Sequence, residues 1–291
     1  MHSNAVLNVK DFSMMHTVES AQPLTFFAEK MEKNEDSYSI SYINGESLIN
    51  VTQHGNALEL ESYGGMSEKQ LVSEVKSRFG LDDSMKDIYE KIATDKFMRT
   101  AVCTYPGMRI TKNDPWETTL CFIISQFNNV KRIRGITRAL MNKYGEEFEV
   151  EGKIYHKIPT SEALLSASKD DLMACGTGFR YKYITGSSKM CASNVDLSKL
   201  DEMDYAAAKS VLMGMPGIGD KVADCILLMG YKKLNAFPID TWVKRVMEHV
   251  YFGGKKHTIG ELHEFADSRW NEYSGYAQQY LFWHGRSIGI G

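Results

Sequence analysis

The stretch Leu212-Met-Gly-Met-Pro-Gly-Ile-Gly-Asp-Lys-Val-Ala-Asp-Cys225 constrains this chain more than any other. Before it, Asp201 to Met213 carries good helix formers, including Ala206-Ala207-Ala208, and after it Val222 to Met229 is almost continuously apolar. Two helices joined by a tight turn follow from that pattern. Pro216 fixes one φ of the turn, while Gly217 and Gly219 are expected to supply conformations or close approaches that a Cβ would obstruct. Such a turn leaves the N–H groups of Ile218, Gly219 and Asp220 open at a positively polarised helix end, a seat for one phosphate. Lys221 falls in the first turn of the second helix, where a cation opposes the helix dipole, and Cys225 and Leu228 at i+4 and i+7 set it against an apolar strip. Both effects favour the free amine that a nucleophilic lysine needs. The ordinary alternative is a surface lysine paired with Asp224 at i+3.

Downstream, Ala236-Phe-Pro-Ile-Asp240 precedes the periodic segment Thr241 to Val250. Asp240 is the expected N-cap of that helix, with Pro238 stopping anything helical before it. Lys221 and Asp240 thus begin two successive helices that must pack as neighbours across a short loop. In this order the hairpin, Lys221 and Phe-Pro-Ile-Asp240 closely resemble the helix-hairpin-helix DNA glycosylases, and within them the 8-oxoguanine DNA glycosylase branch. The five cysteines, Cys103, Cys121, Cys175, Cys191 and Cys225, show no C-x-x-C spacing. That fits a reducing compartment and separates the chain from relatives that carry four clustered cysteines for an iron-sulfur centre.

With 291 residues, 43% hydrophobic and 24% charged, the chain reads as an ordinary globular protein of two domains or one large one. A net charge of −3 argues against a protein that coats nucleic acid nonspecifically. Lys131, Arg132, Arg134 and Arg138 form the one candidate basic face. The N-terminus lacks an apolar signal core and no run reaches membrane-spanning length, so a cytoplasmic location, with DNA in a prokaryotic nucleoid, is expected.

From Asp11 to Ser62 the chain reads as strands, with Tyr38–Ile43, Leu48–Thr52 and Ala57–Glu61 forming an antiparallel meander. Near residue 65 the pattern turns helical, giving an α+β chain. We divide it into a sheet domain with linking helices over 1–95 and a helical domain over 96–291, with the helix-hairpin-helix at about 203–230. Asp114-Pro115 starts an apolar central helix that breaks at Ser125 to Asn129, Pro159-Thr160 introduces a short helix, and Tyr276 to Phe282 reads as amphipathic.

The resemblance covers nearly the whole chain and implies further roles. Asn128 and Arg132 match a corner that enters the gap left by the flipped base, whereas Phe127 stands where the family usually has Asn. Cys175-Gly-Thr-Gly-Phe-Arg180 matches a corner whose aromatic plugs the duplex and whose Arg reaches the opposite base, making Phe179 the wedge and Arg180 the reader. Gln278 and Phe282, on one helix face, and Cys225 match a slot for a planar purine. Ser20-Ala-Gln-Pro-Leu-Thr-Phe26 matches a turn whose carbonyl, here that of Ala21, accepts the N7–H found only in the oxidised guanine. The hairpin of Met213, Met215, Gly217, Ile218 and Gly219 would hold a DNA phosphate, with a monovalent cation on its carbonyls and no tightly bound metal. These residues imply a cofactor-free, monomeric glycosylase and apurinic-site lyase acting on duplex DNA with oxidised guanine. Two rivals are an alkylpurine glycosylase, which uses the aspartate without the lysine, and a non-enzymatic hairpin module, which needs neither.

Overall fold

The computed structural model describes residues 2–24 and 28–290. Thr25 and Phe26, the end of the Ser20–Phe26 turn, lie outside the described residues. Five strands, β1 (His2–Asn8), β2 (Lys30–Lys33), β3 (Tyr38–Asn44), β4 (Ser47–His54) and β5 (Ala57–Tyr63), form one antiparallel sheet in the order β1-β5-β4-β3-β2. The expected meander is its centre. Ile40 opposite Val51, and Val51 opposite Leu60, put buried apolar side chains on one face. The edges, β1 and β2, were not legible: both mix polar or charged residues at half-exposed positions, as edge strands do.

A short helix, α1 (Met14–Glu19), interrupts the sheet, and α2 (Glu68–Arg78), α3 (Met85–Ile92) and α4 (Lys96–Thr104) follow it. Then come α5 (Pro115–Ser125), α6 (Val130–Tyr144), a hairpin of β6 (Glu147–Val150) and β7 (Lys153–His156), α7 (Ser161–Leu165), α8 (Lys169–Ala174) and α9 (Tyr181–Ser193). The chain closes with α10 (Tyr205–Met213), α11 (Asp220–Tyr231), α12 (Thr241–Tyr251), α13 (Ile259–Trp270) and α14 (Ser274–Ser287). Asp114 and Asp240 each accept a backbone N–H at a helix start, as the sequence signals imply, and Asn129, in the expected break after the central helix, caps α6 in the same way. Asp204 caps α10, which begins four residues later than Asp201 because Asp201 closes a separate 3-10 turn, Leu197–Asp201.

Two helices form the floor of the molecule. In α5 every residue from Thr118 to Ile124 is buried, and in α14 every residue from Ser274 to Leu281 is buried. The latter corrects the amphipathic reading, because α14 is packed on all sides over its first two turns. Gly275 is the reason α14 comes so close to α11: a Cβ there would lie 2.3 Å from Leu228 Cδ1. Its N–H also donates to the Leu234 carbonyl at 2.7 Å. The sheet is tied to this floor by the buried Arg109, whose guanidinium donates to the carbonyls of Lys10, Asp11, Gly80 and Asp83. Of the four residues of the candidate basic face on α6, Arg134 and Arg138 also serve this junction. Arg134 donates to the Ala28 carbonyl and Arg138 pairs with Glu29 at 2.5 Å. Lys131 and Arg132 are the two that face solvent.

Candidate active site

The turn between α10 and α11 is built as its residue types require. Gly217 sits at φ +81°, and a Cβ on it would lie 2.3 Å from the Tyr183 ring, so conformation and space both exclude a side chain. Gly219 is different: it is extended, with φ −93°, and a Cβ would meet nothing within 4 Å. It caps α11 without a side chain to occupy the helix end. The Ile218 N–H is not open, since it donates to the Met215 carbonyl at 3.1 Å. The N–H groups of Gly219 and Asp220 take no partner among the described residues, which leaves two of the three expected donors. Met215 and Ile218 are buried beneath the turn, and Met213 is exposed at its rim.

Lys221 points inward from this turn. Its Nζ lies 5.3 Å from the Phe122 ring centroid on α5, a contact that periodicity could not reveal. Burial pulls Lys221 toward the neutral amine, but Cys225 beside it and the Asp240 carboxylate outweigh that pull and hold its pKa above the ordinary lysine value. This overturns the expectation of a free amine at rest, because the sequence showed the dipole and the apolar strip but not the charge that faces them. Burial pushes the Cys225 thiol itself up to about 11. Asp240 keeps its expected cap role, accepting from the Val243 N–H at 2.7 Å. Asp224, the bland partner for Lys221, bonds elsewhere, to the Tyr205 hydroxyl at 2.6 Å and Lys209 at 2.8 Å.

Next to this centre, Cys225 and Gln278 each lie one helical turn from the Leu228–Gly275 contact, on the same faces of α11 and α14. Gln278 is buried, and its Oε1 has no hydrogen-bond partner among the described residues. A buried amide oxygen left unpaired costs about 1–3 kcal/mol, a deficit that a donor on a bound molecule would relieve. Phe282, one turn further, is half-buried. The neighbouring Gln279, unremarkable in the sequence, donates to the Ser20 carbonyl at 2.8 Å and so anchors the Ser20–Ala21 turn to α14. Ala21 itself holds φ +62°, the left-handed region that glycine favours. Gln22 locks the turn from below, donating to Thr17 and Arg109 carbonyls and accepting from Thr111.

The two corners meet at the surface. Phe127 is 94% exposed at φ +49°, and its ring packs edge-on against the half-exposed Phe179, 6.4 Å away. Asn128 donates to the Ile124 carbonyl and ends α5 rather than projecting outward. Arg132 is exposed, one turn into α6. Arg180 departs from expectation. It is buried and its guanidinium donates to the carbonyls of Gln126, Phe127 and Thr177, holding the Phe127 corner in place. A base could be read by it only after those bonds are exchanged. Arg132 lies near enough that, after burial, its charge also depresses the Arg180 pKa. A metal could be sought at Asp220, Asp224 and His263, whose donor atoms lie within 4.8 Å of one another. Lys209 already bridges the two carboxylates at 2.9 and 2.8 Å.

Residues 120–272, with the hairpin and both catalytic candidates, match the family described as HhH-GPD superfamily base excision DNA repair protein. The chain therefore belongs to the helix-hairpin-helix superfamily of base excision DNA repair proteins. Within it, residues 5–119 match the 8-oxoguanine DNA glycosylase N-terminal domain. A Methanothermobacter thermautotrophicus protein named "Probable N-glycosylase/DNA lyase" is 29% identical over 262 residues, covering 83% of each chain. A solved structure of MBOgg1 in complex with a low affinity DNA ligand is 30% identical with a TM-score of 0.89, covering 98% of this chain and 96% of its own. The Clostridium acetobutylicum 8-oxoguanine glycosylase/lyase, solved with double-stranded DNA containing cytosine opposite 8-oxoguanine, is 26% identical with a TM-score of 0.86. That match covers 98% of this chain and 99% of the other. Among the described residues no helix is long and apolar enough to cross a membrane.

Proposed function

We propose that this protein is a bifunctional DNA glycosylase and apurinic-site lyase that excises 8-oxoguanine from duplex DNA in base excision repair. A stacked base shields its own glycosidic carbon, so the nucleotide must leave the helix at a cost of a few kcal/mol. Phe127 and Phe179, with Asn128 behind them, fill the vacated stack, and Arg132 faces the opposing base from the same corner. The open N–H groups of Gly219 and Asp220 hold a phosphate, with the carbonyls of Met213, Met215 and Ile218 available to a monovalent cation. In the pocket, Phe282 and Cys225 take the two faces of the purine. Gln278 bonds its edge, and the Ala21 carbonyl accepts the N7–H that guanine lacks.

Lys221 must shed its proton before it can attack. Its amine then forms a bond to C1′ as the glycosidic bond breaks and the base leaves with the electron pair. Asp240, a carboxylate at the start of α12, stabilises the positive charge that develops on sugar and amine. The sugar ring opens to an imine, which acidifies C2′, and loss of that proton expels the 3′ phosphate. The observation that carries this reading is Lys221 seated at the head of the hairpin's second helix, with the Asp240 charge acting on its ammonium. Neither an alkylpurine glycosylase nor a passive hairpin module requires that pair. Borohydride trapping on a duplex with one 8-oxoguanine is the test: wild type should yield a covalent adduct, and Lys221→Gln should yield none while still binding the duplex. Trapping by the variant at the wild-type level would identify another amine. A cytoplasmic, monomeric enzyme is the form we propose, and the five free cysteines suit a reducing compartment.

A further inference from the structure

The first residue of the phosphate-seating helix is acidic. Asp220 supplies one of the two open N–H groups, yet its half-exposed side chain carries a negative charge in the same turn. Left alone, that carboxylate would repel the phosphate that its own N–H is placed to hold. The structure shows what becomes of it. Oδ1 lies 2.9 Å from Lys209 Nζ on α10, and Oδ2 lies 3.3 Å from His263 Nε2 on α13. The same Lys209 ammonium lies 2.8 Å from Oδ1 of Asp224, one turn along α11, where Tyr205 also donates. Asp224 is fully buried, and among the described residues its Oδ2 finds only His263, at 3.8 Å.

One cation thus serves two carboxylates on one face of α11, at i and i+4, while Lys221 and Cys225 occupy the adjacent face at i+1 and i+5. We infer that Lys209 is a positioning residue for the proposed reaction: it neutralises Asp220 and draws its carboxylate away from the phosphate seat, so that DNA can dock beside Lys221. Burial works against the Lys209 charge, and its bonds to Asp220, Asp224 and Tyr205 more than compensate, so it remains an ammonium. The helix end favours this arrangement over a bound metal, because its positive polarity repels a divalent ion that Lys209 already makes redundant. The inference rests on the reading of the hairpin as the phosphate seat.

The experiment measures binding to a duplex bearing a tetrahydrofuran abasic analogue, alongside single-turnover excision at saturating enzyme. Lys209→Met should weaken binding on the order of tenfold while changing the saturated rate much less, and adding Asp220→Asn should restore most of the affinity. Lys209→Arg, which keeps the charge, should bind nearly as wild type. Asp220→Asn alone leaves Asp224 paired and so keeps the fold; it should bind as tightly as wild type or tighter. Weaker binding by Asp220→Asn, or no restoration in the double variant, would overturn the assignment. Failure of wild type to trap with borohydride would instead overturn the catalytic reading and leave the binding comparison standing.

Discussion

Gln126 Nε2 donates to the Gly217 carbonyl at 3.0 Å, joining the Phe127 corner, the proposed wedge, to the hairpin turn, the proposed phosphate seat. Two other bonds converge there, since Arg180 donates to the Gln126 carbonyl and Ser187 Oγ donates to the Pro216 carbonyl at 3.0 Å. The Phe127 corner and the hairpin turn are therefore held at a fixed separation. Gln126→Ala should lose about 1 kcal/mol of stability, the usual value of one such bond. Excision should fall further than that, by on the order of tenfold, because misplaced substrate loses rate steeply. Single-turnover kinetics beside a thermal melt would separate the two effects. A rate loss no larger than the stability loss implies would mean that the bond has only a structural role.

Protonation of Lys221 sets the second expectation. Its pKa is raised, so the reactive amine is the minor form at neutral pH and its fraction grows about tenfold per pH unit below that pKa. Strand cleavage at a preformed abasic site should therefore accelerate with pH. In stability the sign is opposite: the favourable Lys221 interactions are fully present below the unfolded lysine pKa and are lost as pH rises through the folded one. Asp240→Asn removes one of the two neighbours, with Cys225, that raise the Lys221 pKa. It should shift the profile to lower pH while reducing the maximal rate on the order of 10²-fold or more, since charge stabilisation of the transition state is gone. Asn caps helices about as well as Asp, so the cap is kept and any fall in melting temperature should be confined to the lost attraction between Asp240 and Lys221. A profile that does not move would dissociate the two residues.

At Ala21 a methyl group occupies a left-handed backbone position, which costs a non-glycine residue roughly 1–2 kcal/mol. Ala21→Gly relieves this but loosens the unfolded chain by about 0.4–1 kcal/mol. The net expectation is a small gain in stability with selectivity for 8-oxoguanine over guanine intact, because the carbonyl stays where it is. Denaturant melts and excision from paired lesion and guanine duplexes would check both. Loss of discrimination in the glycine variant would show that the methyl itself contacts the base.

Phe127 can stack but cannot donate a hydrogen bond, and a side-chain hydrogen bond to the opposing base is worth about 1–3 kcal/mol of discrimination. Wild type should prefer cytosine opposite the lesion only weakly, with measurable excision opposite the other three bases. Phe127→Asn should sharpen the preference, and asparagine tolerates the residue's φ of +49° better than phenylalanine does, so stability should not fall. Single-turnover excision against all four opposing bases decides this. Equal profiles for the two proteins would show that position 127 reads nothing, and a profile unchanged by Arg132→Ala would remove the arginine from the site.

The sequence by itself determined the local elements. A helix cap such as Asp240, a turn such as Pro216-Gly217 and a β-meander such as Tyr38 to Glu61 are written in residues a few positions apart, and spacing exposes them. It also brought Lys221 and Asp240 to the heads of successive helices. Tertiary structure decided what depends on facing groups: that Cys225 and Asp240 together outweigh burial and raise the Lys221 pKa, that Arg180 is drawn inward by the Gln126 and Phe127 carbonyls, and that Lys209 rather than Lys221 answers Asp224. The edge strands β1 and β2 belong to the same group, since their polar residues become strands only where β5 and β3 offer a ladder. Such contacts join residues far apart in the chain, and no local pattern of propensity or charge records which of several possible partners will be within reach.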